Sequence, residues 1–187
     1  KKVLVDKVTG DVYVTGNAFS SASGNDIVTI KYNPLGIQQW VSTYSGTGSL
    51  DDKVSDMVLD NLGNIIITGL TGSSASGKDY ITIKYNTSGT MLWVRKYNGT
   101  ANQDDVATSI AVDGLSGSIV VTGFSNSYPA SSIIEIVTIR YSYYGAVEWV
   151  QRYNATETSL DFGYSITTDD SGNFYVSGSS YSGYSFD

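Results

Sequence analysis

The sequence contains no cysteine and no histidine, and only two of its 187 residues are proline. Without cysteine the chain has no disulfide framework and no thiolate chemistry. Without histidine it lacks the commonest general base, the usual catalytic triads and the usual zinc and copper ligands. These absences exclude more classes of enzyme than any motif in the chain indicates.

Basic residues are also scarce. The chain has 11 lysine and arginine residues, none of them clustered, against 18 aspartate and glutamate residues, which gives a formal net charge of −7. This balance argues against nucleic acid or an anionic lipid surface as the main partner. No apolar run approaches membrane-spanning length, so we expect no membrane insertion. Residues 1–6 have the pattern of the end of a strand, which predicts that the chain continues upstream.

What the chain has in abundance is turn and strand residues. It has 20 glycines and 15 tyrosines, together with many serines, threonines and asparagines. This mixture favours short strands and tight turns, and no window shows a sustained helical period with caps. The sequence therefore predicts an all-β fold.

A repeat organises the chain. A Thr-Gly or Ser-Gly pair recurs at spacings of 53, 54 and 55 residues, and tryptophan recurs at 53 and 56. Periods in the fifties are typical of propeller blades and repeat arrays. The landmark residues are Gly16, Gly69, Gly123, Gly178, Trp40, Trp93 and Trp149.

We therefore predict a single β-propeller segment over residues 1–187, built from four-stranded antiparallel blades of about 53–56 residues each. The predicted boundaries are 1–46 for the first blade, 52–99 for the second, 105–155 for the third and 161–187 for half of a fourth. The strands of each unit are named A to D in chain order.

Strands B and C have distinct patterns. Strand B, for example residues 65–67, is apolar at every position, so it requires cover on both faces. Strand C alternates, as in residues 81–85, with a basic residue on its polar face. The basic positions Lys31, Lys84 and Arg140 form either an anion-binding stripe or, as we prefer, a solvated or salt-bridged strand face.

Strand D carries a tryptophan and a tyrosine four residues apart, which places both on one face. The pairs are Trp40 and Tyr44, Trp93 and Tyr97, and Trp149 and Tyr153. Aromatic pairs at fixed positions are what packing between neighbouring blades requires. The alternative is a ring of aromatic side chains that stacks on sugars.

The order of sub-motifs resembles the SBBP β-propeller repeat family of bacteria. The second unit carries it most fully, in Asn64–Gly69, Asp79–Asn86, Gly89–Gly99 and Asp105–Asp113. The resemblance extends over essentially the whole chain, and it implies a propeller within a large secreted or cell-surface protein. The third unit departs from the pattern, because Ser142-Tyr143-Tyr144 replaces the polar turn and residues 129–134 enlarge the B–C loop.

Three aspartates occupy equivalent positions before strand A, namely Asp52, Asp105 and Asp161. Carboxylates around a channel mouth can hold calcium or supply the acid and base of a propeller glycosidase. The structural interpretation, which we prefer, is that each accepts backbone N–H groups in its own inter-blade link. Equivalent repeats also give similar environments, whereas acid–base catalysis needs different ones. We predict no catalytic residue, no metal site and no cofactor, with calcium at these aspartates as the alternative.

Any binding surface is predicted where long loops gather. The B–C loops at 17–25, 70–78 and 124–134 and the links 45–52, 98–105 and 154–161 are expected on one face of the disc. The candidates on this face are Asp51, Asp52, Asp104, Asp105, Asp161 and Tyr128.

The sequence predicts a non-enzymatic, secreted or cell-surface scaffold for adhesion or interaction. An isolated arc of blades would expose apolar faces and strand edges, so we expect other chains, or the remainder of a longer polypeptide, to complete the propeller. The alternative is a carbohydrate-binding or carbohydrate-active propeller that uses the long-loop face, with glycans as its partners. A quinone-dehydrogenase type of propeller ranks last, because only the Gly-x-x-x-Trp turn suggests it.

Overall fold

The computed structural model describes residues 1–47, 49–126, 133–156 and 158–181. Within these ranges the regular structure is entirely β. The strands are β1 (Lys2–Val5), β2 (Val12–Ser20), β3 (Gly24–Tyr32), β4 (Gln38–Tyr44), β5 (Asp52–Leu59), β6 (Ile65–Ser73), β7 (Gly77–Tyr85), β8 (Met91–Tyr97), β9 (Asp105–Val112), β10 (Ile119–Asn126), β11 (Ile134–Tyr141), β12 (Val147–Tyr153), β13 (Leu160–Thr168) and β14 (Phe174–Tyr181). The described part of the chain contains no helix long and apolar enough to cross a membrane.

Each repeat unit folds as an antiparallel meander. The orders β1-β2-β3-β4, β5-β6-β7-β8 and β9-β10-β11-β12 follow the chain, and β13 and β14 form a further antiparallel pair. That pair joins the third unit through one parallel bridge, between Ile134 and Leu160. The prediction of an all-β fold built from antiparallel four-stranded sheets is confirmed. We call the groups β1–β4, β5–β8, β9–β12 and β13–β14 the first to fourth units.

The apolar B strands of the second and third units are buried on both faces, as predicted, whereas the B strand of the fourth unit is partly exposed. Ile65, Ile66 and Ile67 of β6 are fully buried. Ile65 and Ile67 pack in a cluster with residues of the first unit such as Ile27, whereas Ile66 packs in a second cluster with residues of the third unit such as Ile110. The cores therefore lie between units, and each sheet is stabilised by its neighbours.

The Thr-Gly landmark marks a β-bulge in strand A. The register of β5 against β6 shifts between Val54 and Asp56, opposite Gly69. This brings the backbone so close that a Cβ on Gly69 would lie 2.0 Å from the carbonyl oxygen of Lys53. Glycine is needed because no side chain fits at such an approach. Equivalent approaches of 2.1 Å occur at Gly123 and Gly178.

The predicted B–C loops of the first and second units are mostly strand, so this part of the sequence prediction was wrong. Strand β6 ends at Ser73 and strand β7 begins at Gly77, so residues 74–76 form the turn. Thr71 pairs with Asp79 inside this ribbon. Serine, threonine and glycine fill the ladder here, and they carry no apolar alternation that would indicate a strand. In the third unit, residues 127–132, with Tyr128, lie outside the described residues.

Candidate functional site

The three equivalent aspartates hold the links between units. Asp105 Oδ2 accepts the backbone N–H of Gly99 at 2.6 Å, and Asp161 Oδ2 accepts that of Ala155 at 2.9 Å. Asp52 Oδ2 accepts the corresponding N–H of Gly46. All three aspartates are at most 1% exposed. These are the contacts that the structural interpretation requires.

The link aspartates continue into rows of buried polar residues across the sheets. In the second unit Asp52 pairs with Thr71, which pairs in turn with Asp79. In the third unit Asp105 pairs with Ser125 and then Glu135. Glu135 is neutralised by Arg152, whose Nη1 lies 3.1 Å from Glu135 Oε2.

The environments of the equivalent aspartates differ. Burial raises the pKa of Asp105. The pKa of Asp161 is lowered, because hydrogen bonds from Ser159, Ser180 and the Ala155 N–H outweigh the opposing effect of burial. Repeated sequence positions therefore do not give repeated electrostatics, which is a correction to the symmetry argument.

Asp51 and Asp104 fasten each B–C turn to the following unit. Asp51 Oδ1 accepts the backbone N–H of Asn25 at 3.0 Å and its amide at 2.8 Å. A hydrogen bond from Lys53 is the largest cause that lowers the pKa of Asp51, and the two bonds from Asn25 add to it. Asp104 Oδ1 accepts the N–H of Lys78 at 3.0 Å. These two candidates for a binding face are engaged in contacts within the chain.

The structure also bears on the calcium alternative. In the ranges described, no group of three or more aspartate, glutamate, histidine or cysteine side chains is placed to hold a metal ion. Asp52, Asp105 and Asp161 each belong to a separate link rather than to one ligand set.

Two of the three tryptophans dock on the C–D turn of the following unit. Trp40 Nε1 donates to the carbonyl oxygen of Thr87 at 3.0 Å, and its ring covers Gly89 so closely that a Cβ there would lie 2.6 Å away. Trp93 repeats the arrangement with Tyr143 and Gly145. These rings are used for packing between units.

The tyrosines of strand D and the third tryptophan are less uniform. Tyr97 packs edge-on against Tyr80 with ring centroids 5.5 Å apart, and Tyr44 packs against the core between the first and second units. Tyr153 is exposed. Trp149 packs against Phe174 of the fourth unit.

The basic row on strand C is salt-bridged within the first, second and third units, and Arg140 pairs with two carboxylates. The shortest pairs are Lys31 with Asp11 at 2.8 Å, Lys84 with Asp60 at 2.9 Å, and Arg140 with Glu148 at 2.7 Å. These separate ion pairs leave no continuous anion-binding stripe.

Lys84 differs from the other two cations because it is completely buried. The ring of Tyr143, from the third unit, lies over it with the ammonium 3.4 Å from the ring centroid. Sequence reasoning missed this role, although the atypical Ser142-Tyr143-Tyr144 turn was the signal that could have found it.

An open cleft of about 1000 Å³ lies between the first and second units. The cleft lies at the edge of the sheets that carries the A–B and C–D turns, opposite the predicted binding face. Its lining includes Leu4, Tyr13, Lys31, Leu62 and Thr87. No motif in the sequence predicts this cleft, because its two sides come from different repeats.

Comparison with known families places part of the chain. Residues 148–186, from strand D of the third unit onward, match the family model of the SBBP β-propeller repeat. The antiparallel four-stranded sheets are consistent with a β-propeller repeat. The match confirms, over residues 148–186, the resemblance inferred from the motifs. No curated protein matches the chain.

The hydrogen bond between Gly99 and Asp105 predicts that two substitutions of Asp105 destabilise the chain to different extents. We expect Asp105→Ala to lower the free energy of unfolding by about 2 kcal/mol, because the buried N–H of Gly99 loses its acceptor. Asp105→Asn keeps a carbonyl oxygen for that N–H and should cost about 1 kcal/mol or less. Urea unfolding at neutral pH measures both, and equal losses would contradict the proposed hydrogen-bond role.

The same aspartate should influence the pH dependence of stability. Because burial raises the pKa of Asp105, the folded state binds the proton more tightly than the unfolded chain does. This contribution makes the free energy of unfolding fall as pH rises from about 3.9, the unfolded value, through the raised pKa. When the free energy of unfolding is measured as a function of pH, the Asp105→Asn variant should lack that fall.

Proposed function

We propose that the chain is a segment of a secreted or cell-surface β-propeller that acts as a non-enzymatic interaction scaffold. The observation that carries the proposal is the burial of the acidic candidates. The carboxylates of Asp52, Asp105 and Asp161 each accept a backbone N–H in the link before their own unit. A carboxylate held in this way is not presented to a substrate. The proposed function needs no cofactor.

Exposed apolar residues support a role in interaction with other polypeptides. Val176 and Tyr175 of the fourth unit are 39% and 55% exposed, whereas the equivalent positions in the second unit, Ile67 and Ile66, are fully buried. In the first unit Val3 and Val5 of β1 are also exposed. We propose that another chain, or more of the same polypeptide, covers these surfaces as neighbouring units cover β6.

One observation favours the carbohydrate-active alternative. Acid–base catalysis needs carboxyl groups with different pKa values, and Asp105 and Asp161 are shifted in opposite directions. Their burial argues against this use, because a catalytic carboxyl must reach the proton that it transfers.

A glycan array and a panel of hydrolysis assays test the proposal. We expect no hydrolysis by the wild-type chain that depends on Asp52 or Asp105. Hydrolysis that is lost in a folded Asp52→Asn or Asp105→Asn variant would overturn the scaffold function in favour of the enzyme. Glycan binding without hydrolysis would instead identify a lectin.

A further inference from the structure

The cleft between the first and second units is lined by both charged and apolar side chains. Among them Lys31 Nζ lies 2.8 Å from Asp11 Oδ2, and the ammonium lies 5.3 Å from the ring centroid of Tyr13. Both charged side chains are largely buried. Leu4 and Leu62 line the cleft from the first and second units. An ion pair held in such surroundings is screened less than one on an open surface.

The corresponding place between the second and third units is filled by a side chain of the protein itself. The phenol ring of Tyr143 lies over the ammonium of Lys84, 3.4 Å from the ring centroid. The Tyr143 hydroxyl accepts a hydrogen bond from Asn64 Nδ2 at 3.1 Å. A tyrosine side chain therefore fits the position over this lysine.

Thr87 and Tyr143 are structurally equivalent. The carbonyl oxygen of Thr87 accepts from Lys31 Nζ at 3.4 Å and from Trp40 Nε1 at 3.0 Å. The carbonyl oxygen of Tyr143 accepts from Lys84 Nζ and from Trp93 Nε1, each at 3.3 Å.

The glycines of the A–B turns support the same equivalence. A Cβ on Gly63 would lie 3.4 Å from Thr87 Cγ2, and one on Gly117 would lie 3.4 Å from Tyr143 Cδ2. The threonine side chain therefore starts at the same position as the tyrosine side chain but has no ring. The cleft includes the volume that the ring would fill.

The first unit also has a polar residue at the position of Asn64, which is the hydrogen-bond partner of the Tyr143 hydroxyl. Asp60 N–H donates to the carbonyl oxygen of Asn64 at 3.0 Å, and Asp6 N–H donates to that of Asp11 at 2.9 Å, so both pairs close the A–B turn. Asp11 therefore occupies the position of Asn64. Where Asn64 donates to the tyrosine hydroxyl, a carboxylate at Asp11 would accept from it.

We propose that this cleft binds the side chain of a tyrosine presented by a partner polypeptide. Its ring lies over the Lys31 ammonium, and its hydroxyl donates to Asp11. A cation–π contact is attractive, and the attraction is stronger when the cation is desolvated. The inference rests on the proposed function only in taking the phenol from a polypeptide, since binding of the phenol itself is independent of whether the chain hydrolyses glycans.

Titration of the 187-residue chain with N-acetyltyrosinamide, followed by two-dimensional NMR, tests the inference. We expect saturable shifts confined to residues around Lys31 and Thr87. N-acetylphenylalaninamide lacks the hydroxyl and should bind about 3- to 10-fold more weakly, the effect of one hydrogen bond. Gly-Tyr-Gly should bind at least as tightly as the amide, and tighter binding of p-cresol than of both would overturn a polypeptide source.

Two variants at one position separate filling of the cleft from a general disturbance. Thr87→Tyr supplies the missing ring and should abolish binding, whereas Thr87→Ser leaves the cleft open and should bind as the wild type does. Unchanged binding by a folded Thr87→Tyr variant, or no saturable binding by the wild type, would overturn the inference. If Thr87→Tyr does not fold, Lys31→Met decides: at least a threefold loss of affinity is expected, and unchanged affinity overturns the site.

Discussion

Replacement of Lys84 by methionine is expected to lower the free energy of unfolding by about 3–5 kcal/mol, the usual loss when one partner of a buried ion pair is removed. Lys84 is completely buried, its partner Asp60 is almost so, and their charged atoms are 2.9 Å apart. Methionine fills a similar volume, but it leaves the carboxylate of Asp60 without a counter-charge. It also removes the cation that Tyr143 covers.

The matched control is Lys53→Met. Lys53 forms an ion pair of similar length with Asp51, 2.7 Å, but both side chains are more than 40% exposed. Pairs of this kind contribute about 0–1 kcal/mol. Urea unfolding followed by circular dichroism compares the two variants, and similar losses would show that burial of Lys84 does not determine its contribution.

The second large effect is expected at Gly69. A Cβ there would lie 2.0 Å from the carbonyl oxygen of Lys53 and 3.0 Å from the backbone nitrogen of Ser55. Because backbone atoms cannot move aside as a flexible side chain does, we expect Gly69→Ala to cost about 3 kcal/mol or more. The bulge in β5 and the packing of two units against β6 depend on this approach.

Gly16 provides the control within the same motif. It occupies the Thr-Gly position of the first unit, where β1 pairs only as far as Lys2 with Thr15. A Cβ on Gly16 would meet only the side chain of Lys1, at an ordinary distance of 3.9 Å. We expect Gly16→Ala to change the free energy of unfolding by about 0.5 kcal/mol or less. Thermal melts of both variants measure the difference, and a large loss at both positions would refute the explanation of the motif.

Much of the fold could be predicted because it repeats along the sequence. The period of the Thr-Gly pairs separated the units, and the apolar runs such as 65–67 identified strands that need cover on both faces. The fixed position of the tryptophans in strand D predicts packing between units, and in the structure Trp40 and Trp93 dock on the following unit. These features depend on local patterns that each unit carries in full.

What could not be predicted depends on pairs of different units. The cover of Lys84 by Tyr143 joins a strand of one unit to the turn of the next, and the unlike environments of Asp105 and Asp161 arise from neighbours that the repeat does not conserve. The polar ribbon beyond Gly69 has no apolar alternation, so its sequence predicts a loop where the structure has paired strands. Hence the site was less predictable than the scaffold.

Each inner unit buries its faces against a neighbour, and from this we propose that the exposed outer faces are interaction surfaces. Light scattering coupled to size-exclusion chromatography of the 187-residue chain tests it most directly. We predict an assembly heavier than the 20.0 kDa of one chain, which dissociates on dilution. A folded monomer of 20.0 kDa at every concentration would contradict the claim, because Tyr175, Val176 and their neighbours would then be stable without cover.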